Sequence, residues 1–163
     1  MSERRHDGTG AGEDGFVLHA VQGMASFSRE EWDTLGGACR SDSNTSPSDS
    51  GTAYNPFISY DFLSILEESG CVAARTGWQP VHLRLEDTDG AVLGAVPCYL
   101  KSHSQGEYVF DHGWADAFER AGGRYYPKLQ VSVPFTPASG PRLLVRQGAD
   151  GAAVRAALAQ GLK

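Results

Sequence analysis

Along this chain the spacing of hydrophobic positions switches between a period of two and a period near 3.6, and those switches mark out the elements. "FVLHAV", residues 16–21, predicts a first strand. "SREEWDTLGG" follows, with Ser28 and Glu31 at capping-box spacing and Gly36 and Gly37 as the helix stop. In "NPFISYDFLSILEESG" the residues Phe62, Ile65 and Leu66 share a helical face, Asn55 or Ser59 can cap it, and Gly70 ends it. The clearest local signal is "WQPVHLRLEDTDGAVLGAVPCYLK". Val81, Leu83 and Leu85 alternate with His82, Arg84 and Glu86, "DTDG" is a turn, and a second, more apolar strand returns. This predicts a β-hairpin, with Pro97 marking a bulge or an edge near its exit. On the same alternation His82 faces outward and is exposed.

Three further elements complete the pattern. "HGWADAFERAGG" places Trp114, Ala117, Phe118 and Ala121 on one helical face before a Gly122–Gly123 stop. "YYPKLQVSVPF" alternates Leu129, Val131 and Val133 as a strand closed by Pro134 and Pro137, and "SGPRLLV" opens another. "GADGAAVRAALAQGLK" is an alanine-rich helix. The order β-α-α-β-β-loop-α-β-β-α predicts an α+β (mixed α/β) fold. Residues 1–15 are polar and glycine-rich and are expected to be a disordered tail, with one unit over 16–163. Within that unit "CRSDSNTSPSDSGTA", 39–53, is expected to be a mobile loop.

Charge narrows the function. Residues 1–99 carry 6 Lys/Arg against 15 Asp/Glu, and residues 100–163 carry 8 against 5. The acidic half argues against DNA or RNA binding by the whole chain, and the mildly basic end suits an anionic ligand or a solvated face. Cys39, Cys71 and Cys98 are odd in number and scattered, which fits free thiols in a reducing compartment. No run is long and apolar enough for a membrane span and the N-terminus has no signal-like stretch, so a cytoplasmic protein is expected. "GAGEDG" and "RHDGTG" match glycine-rich nucleotide patterns. Neither follows a strand, and Glu13 and Asp14 would repel a pyrophosphate.

The candidate chemistry concentrates in "KSHSQGEYVFDHGW", residues 101–114. Lys101, Ser102, His103, Ser104, Glu107, Tyr108, Asp111 and His112 fall within a dozen positions, a density that suits a loop presenting reactive groups on a scaffold. The competing structural account has Asp111 capping the next helix and Tyr108 and Phe110 as core contacts of a short strand "EYVF". In "RYYPKLQVSVPFTP", Arg124, Tyr125, Tyr126 and Lys128 can bind a phosphate or carboxylate, although Lys128 reads as solvated. Tyr126 and Thr136 are candidates for lining a groove. Trp32 and Trp78 are packing residues, and Cys98, in an apolar strand, is a buried, inert thiol. No His/Cys/Asp cluster has metal-ligand spacing, so no metal is expected.

"NPFISYDFLSILEESG", "GWQPVHLRLED" and "YLKSHSQGEYVFDHGWADAFERAGGRYYPKLQVSVPFTPASGPRLL" together resemble the N-terminal half of the bacterial FemAB-like family of the GNAT-type acyltransferase superfamily. The resemblance runs over roughly residues 55–146. It implies a GNAT-like, partly split sheet flanked by helices, usually as the first of two tandem units. A C-terminal GNAT-like unit is then the expected partner. It implies acyl, acetyl or aminoacyl transfer to a small-molecule or peptide amine, linked to peptidoglycan. The donor is acyl-CoA or aminoacyl-tRNA; "RAGGRY", 120–125, ends in Tyr125 and misses the acyl-CoA loop pattern. For such chemistry Glu107, Asp111, His103 and His112 are candidate bases, and Tyr108 or Ser104 a donor to the oxyanion or leaving group. Lys101, Ser102, Ser104, Tyr126 and Thr136 are the candidate substrate-positioning residues. Two other readings stand beside this one: a non-catalytic scaffold that recognises a peptide or glycan, and an inactive fragment.

Overall fold

The computed structural model describes residues 10–11, 15–35, 54–105, 107–108 and 110–163. Most of the expected tail, the 39–53 loop and the Gly36–Gly37 stop lie outside them. Among these residues the fold is α+β, with two antiparallel sheets and four α-helices. The larger sheet runs in the order β1 (Gly10–Ala11), β2 (Val17–Val21), β4 (His82–Glu86), β5 (Val92–Val96), β8 (Leu144–Val145). The smaller runs β3 (Trp78–Pro80), β6 (Cys98–Lys101), β7 (Lys128–Val131). The helices are α1 (Arg29–Asp33), α2 (Tyr60–Glu68), α3 (His112–Arg120) and α4 (Gly151–Gln160). No helix among the described residues is long and apolar enough to cross a membrane.

One hairpin builds both sheets. Its tip half pairs β4 with β5, Leu83 opposite Val96. Its root half pairs β3 with β6, Trp78 opposite Lys101. The expected single return strand is therefore two strands. Pro97 has no N–H to give the ladder, so the chain turns there and the root half joins a different sheet. Across the bend the pairing is kept by one bond, Val81 N–H to the Cys98 carbonyl at 2.9 Å.

The larger sheet is covered on both faces. Trp32, Leu35, Ile58, Leu63, Ala95 and Leu144 form a core on the α1/α2 side. Leu83, Leu85, Val96, Val154 and Leu158 form one under α4. Gly94 allows α4 its approach: a Cβ there would lie 2.7 Å from Val154 Cγ1 and 2.9 Å from the Leu144 carbonyl. Both helices on the first face begin as the sequence dictates. Ser28 and Glu31 form the capping box, Asn55 caps the short 3-10 turn before α2, and Ser59 caps α2 itself.

Double coverage corrects the reading of His82. It does alternate away from Leu83 and Leu85, but that face lies under α1 and α2, and His82 is fully buried. Its Nε2 pairs with Glu67 Oε1 at 2.8 Å, and its Nδ1 accepts the Cys98 N–H at 3.1 Å. Glu67 also accepts the Met24 N–H at 2.7 Å. One buried polar chain thus ties α2 to the bend of the hairpin. On α2 Leu63 and Ser64 are buried and Phe62 and Leu66 pack against the core, while Ile65, expected on the apolar face, is exposed.

Two further expectations give way. "EYVF" forms no strand among its described residues, and Tyr108 and Phe110 are exposed. On α3 the face bearing Trp114 and Phe118 points to solvent, and only Ala115 is buried.

Candidate functional site

The small sheet sets the site. Its register aligns Trp78, Lys101 and Lys128 in one row across β3, β6 and β7. Side chains directly opposite each other share a face, and so do those two residues along, which puts Gln130 on it as well. Leu129 falls on the other face, which is why this alternating apolar residue is exposed. Two lysines side by side repel each other, so the row requires an anion.

The loop after β6 brings two. Glu107 Oε1 lies 3.2 Å from Lys128 Nζ and 4.0 Å from Lys101 Nζ. Asp111 pairs with Lys128 directly and also accepts from Ser104, Tyr125 (2.8 Å) and Tyr126 (3.0 Å). Ser104 and Tyr126 bond to each other. Asp111 stands at the N-cap position of α3 but makes no side-chain cap, so the capping account of this residue is replaced. Partial burial pushes its carboxyl up. The bonds from Lys128, Ser104, Tyr125 and Tyr126 outweigh that and hold it well below the usual carboxylate range. Asp111 is a fixed anion, and Lys128 is an ion-pair partner where the sequence suggested a solvated side chain.

Lys101 is fully buried. Its ammonium sits 3.6 Å from the centre of the Trp78 ring and donates to the Gln105 carbonyl at 3.0 Å. Trp78 Nε1 donates to the same carbonyl at 3.2 Å, so the loop is pinned to the sheet through Gln105. Burial lowers the Lys101 pKa to about 8, with Lys128 adding to the effect and Glu107 opposing it.

Beside this cluster opens a groove of about 330 Å³. Trp78, Tyr108 and Phe135 wall it, and Glu107, Gln130, Ser132 and Thr136 supply its polar groups. Two acceptor oxygens there are buried without a hydrogen bond, Glu107 Oε1 and Gln130 Oε1. The Gln130 amide nitrogen is already used on Ser132 Oγ at 3.1 Å. Phe135 holds φ at 62°, a region a non-glycine residue seldom occupies and one that clusters at ligand sites. A larger depression, about 450 Å³, lies between residues 54–57 and 138–141. Its lining has no carboxylate, amine or imidazole.

Of the residues singled out from the sequence, Lys101, Ser104, Glu107, Asp111 and Tyr126 come together, and Tyr108 and Thr136 line the groove. Ser102 is exposed, its N–H donating to the Gly77 carbonyl at 3.3 Å. His103 lies apart, its ring against Gly77 and its Nδ1 accepting the Gln105 N–H at 3.1 Å. His112 is exposed and stacks on Phe110. Cys98 is buried as expected, and burial pushes its thiol up to about 11. The sequence pattern does not single out Gln130 or Phe135, and it reads Lys128 as solvated. Counting two along β7 from Lys128 finds Gln130, and "VPFTP" flags a constrained Phe135.

No curated protein and no solved structure matches the chain. A family model does: that of the FemAB-like proteins of peptidoglycan biosynthesis/recognition, over residues 23–163. The match spans the bent hairpin, the 102–110 loop and every residue of the groove. The chain belongs to the FemAB-like family.

Proposed function

We propose that the groove between Trp78, Tyr108 and Phe135 takes an amine-bearing, peptidoglycan-derived peptide and that the amine is acylated there. The observation that carries this reading is the buried acceptor oxygen Gln130 Oε1, left without a hydrogen bond among aromatic walls beside the ion-paired carboxylate of Glu107. Unsatisfied buried acceptors are costly, and N–H donors on a ligand relieve them. Family membership supports the peptidoglycan link.

In the reaction the amine nitrogen attacks the acyl carbonyl carbon, and its proton passes to Glu107. The tetrahedral intermediate then collapses, breaking the bond to a thiolate (acyl-CoA) or a ribose hydroxyl (aminoacyl-tRNA). Glu107 is the base because Asp111 is occupied by four donors. The Tyr108 hydroxyl, at the rim, is the donor to the developing oxyanion or the leaving group. Lys101 and Lys128 hold Glu107 in place. The acidic charge of residues 1–99 makes acyl-CoA the first donor to try.

A second reading, recognition without catalysis, is favoured by the clamping of Glu107 between two ammonium groups, which weakens it as a base. One experiment separates the two. The protein is incubated with an amine-bearing muropeptide and either acetyl-CoA or aminoacyl-tRNA, and products are read by mass spectrometry alongside binding by calorimetry. Acylated product that falls about 10²- to 10⁴-fold in Glu107→Gln supports catalysis. Binding without product supports recognition. No binding to either ligand overturns both.

A further inference from the structure

Helix α3 leaves most of its apolar face uncovered, with Phe118 alone partly covered, by Gly123 and the edge of Tyr125. Trp114 is 76% exposed and Phe118 51%, and Ala117 and Ala121 on the same face are also exposed. Phe110, just before the helix, is 63% exposed. An amphipathic helix normally turns such a face onto a core. Among the described residues no segment lies over Trp114. The residues outside the described ones, 1–9, 12–14, 36–53, Gly106 and Val109, hold no Leu, Ile, Phe, Tyr or Trp.

The spacing on the face points to its occupant. Its four residues run large, small, large, small: Trp114, Ala117, Phe118, Ala121. An antiparallel pairing about a two-fold axis between positions 117 and 118 sets Trp114 against Ala121 of the partner subunit. The same axis sets Phe118 against Ala117 of the partner subunit. Each ring then meets a methyl group, with no ring facing a ring and no gap. A two-fold contact requires residue i to meet j and j to meet i, and this spacing satisfies that with a ring on an alanine at each position. The acidic residues Asp116 and Glu119 fall on the opposite side of the helix, away from the seam, Arg120 flanks it, and antiparallel helix dipoles attract. We propose that α3 pairs with α3 of a second copy of this chain.

The contact is small. Two or three largely exposed aromatic rings offer on the order of 400 Å² per copy, so the total falls below the standard interface and the dimer is weak. Sedimentation velocity of the full chain, from micromolar to millimolar concentration, should show reversible dimerisation. Trp114→Ser should raise the dissociation constant by about tenfold or more with unchanged circular dichroism, because the ring it removes is 76% exposed. Ala121→Trp alone should do the same by setting ring on ring. The exchange Trp114→Ala with Ala121→Trp should restore pairing, since it keeps the matching. In a Cys39→Ser/Cys71→Ser background, Ala117→Cys should cross-link across the axis under mild oxidation. A chain that stays monomeric at millimolar concentration overturns the proposal. If Trp114 fluorescence then shifts on adding soluble glycan strands, the occupant is a saccharide. Dimers indifferent to Trp114→Ser, or an Ala117→Cys variant that does not cross-link, also overturn it.

Discussion

Replacing Asp111 by Asn tests the hub of the site. Asp111 accepts from Ser104, Tyr125 and Tyr126 and pairs with Lys128. Asn keeps one acceptor oxygen, enough for Ser104 and Tyr126. It turns an NH₂ toward Tyr125, whose hydroxyl can rotate to accept, and toward Lys128, whose ammonium cannot. The principal loss is therefore one charge-assisted hydrogen bond, worth about 1.5–3 kcal/mol. Lys128 keeps Glu107 at 3.2 Å and is not stranded, which places the expected loss near the lower end, about 2 kcal/mol. For a domain of this size that is a fall in Tm of roughly 4–8 °C. The pH dependence has a definite sign. Asp111 has a folded-state pKa below its unfolded value, so its contribution is complete above about pH 4 and is lost as the pH falls further. The gap between Asp111→Asn and the parent should narrow below about pH 4. Urea melts from pH 7 downward, with Lys128→Met and the double variant, make the assay a double-mutant cycle. Coupling of about 1 kcal/mol or more is expected between these two residues. Strict additivity, or a Tm within a degree of the parent, would refute the hub as described.

Lys101 gives a complementary alkaline signature. Its pKa of about 8 in the folded state lies below that of an unfolded lysine, so the unfolded chain binds more protons between those values, and stability from this group rises with pH through that window. Lys101→Met should remove that rise in melts taken from pH 7 to 10. Gly77→Ala combines a positive φ of 76° with a Cβ that would enter the His103 ring. A loss of about 1–2 kcal/mol is expected. Displacement of His103 would appear as a shifted imidazole resonance, and an unmoved resonance would show that the ring does not rest there.

Local chemistry was the legible part of this chain. The capping box at Ser28 and Glu31, the Asp87–Gly90 turn and the interruption at Pro97 each depend on a few neighbouring residues, and each is where the pattern put it. The outcome at Pro97 was harder to read, because which sheet the chain joins depends on partners far along it. His82 shows the limit best. Alternation gives its side of the strand correctly, but the burial of that side depends on α1 and α2 folding over it. The site divides in the same way. The 101–111 loop stands out by its density of functional groups. Lys128 and Gln130 reach it through pairing of β6 with β7, a register that local periodicity does not carry, and Phe135 through the turn that follows β7. Asp111 was open to two accounts because its position is that of a cap, and only its four donors decide between them.

The bent hairpin also bears on the route by which the chain folds. Residues 78–101 close on themselves over a short stretch, whereas β2 must find β4 across some sixty residues and β8 must find β5 across about fifty. Loop closure favours the nearby pairing, so the hairpin is the expected nucleus, with the outer strands condensing on it later. Pulsed hydrogen exchange during refolding should then protect the amides of Leu83 and Leu85 before those of β2. Since the same ribbon supplies Trp78 and Lys101, one wall of the groove would exist in outline before most of the protein has assembled around it.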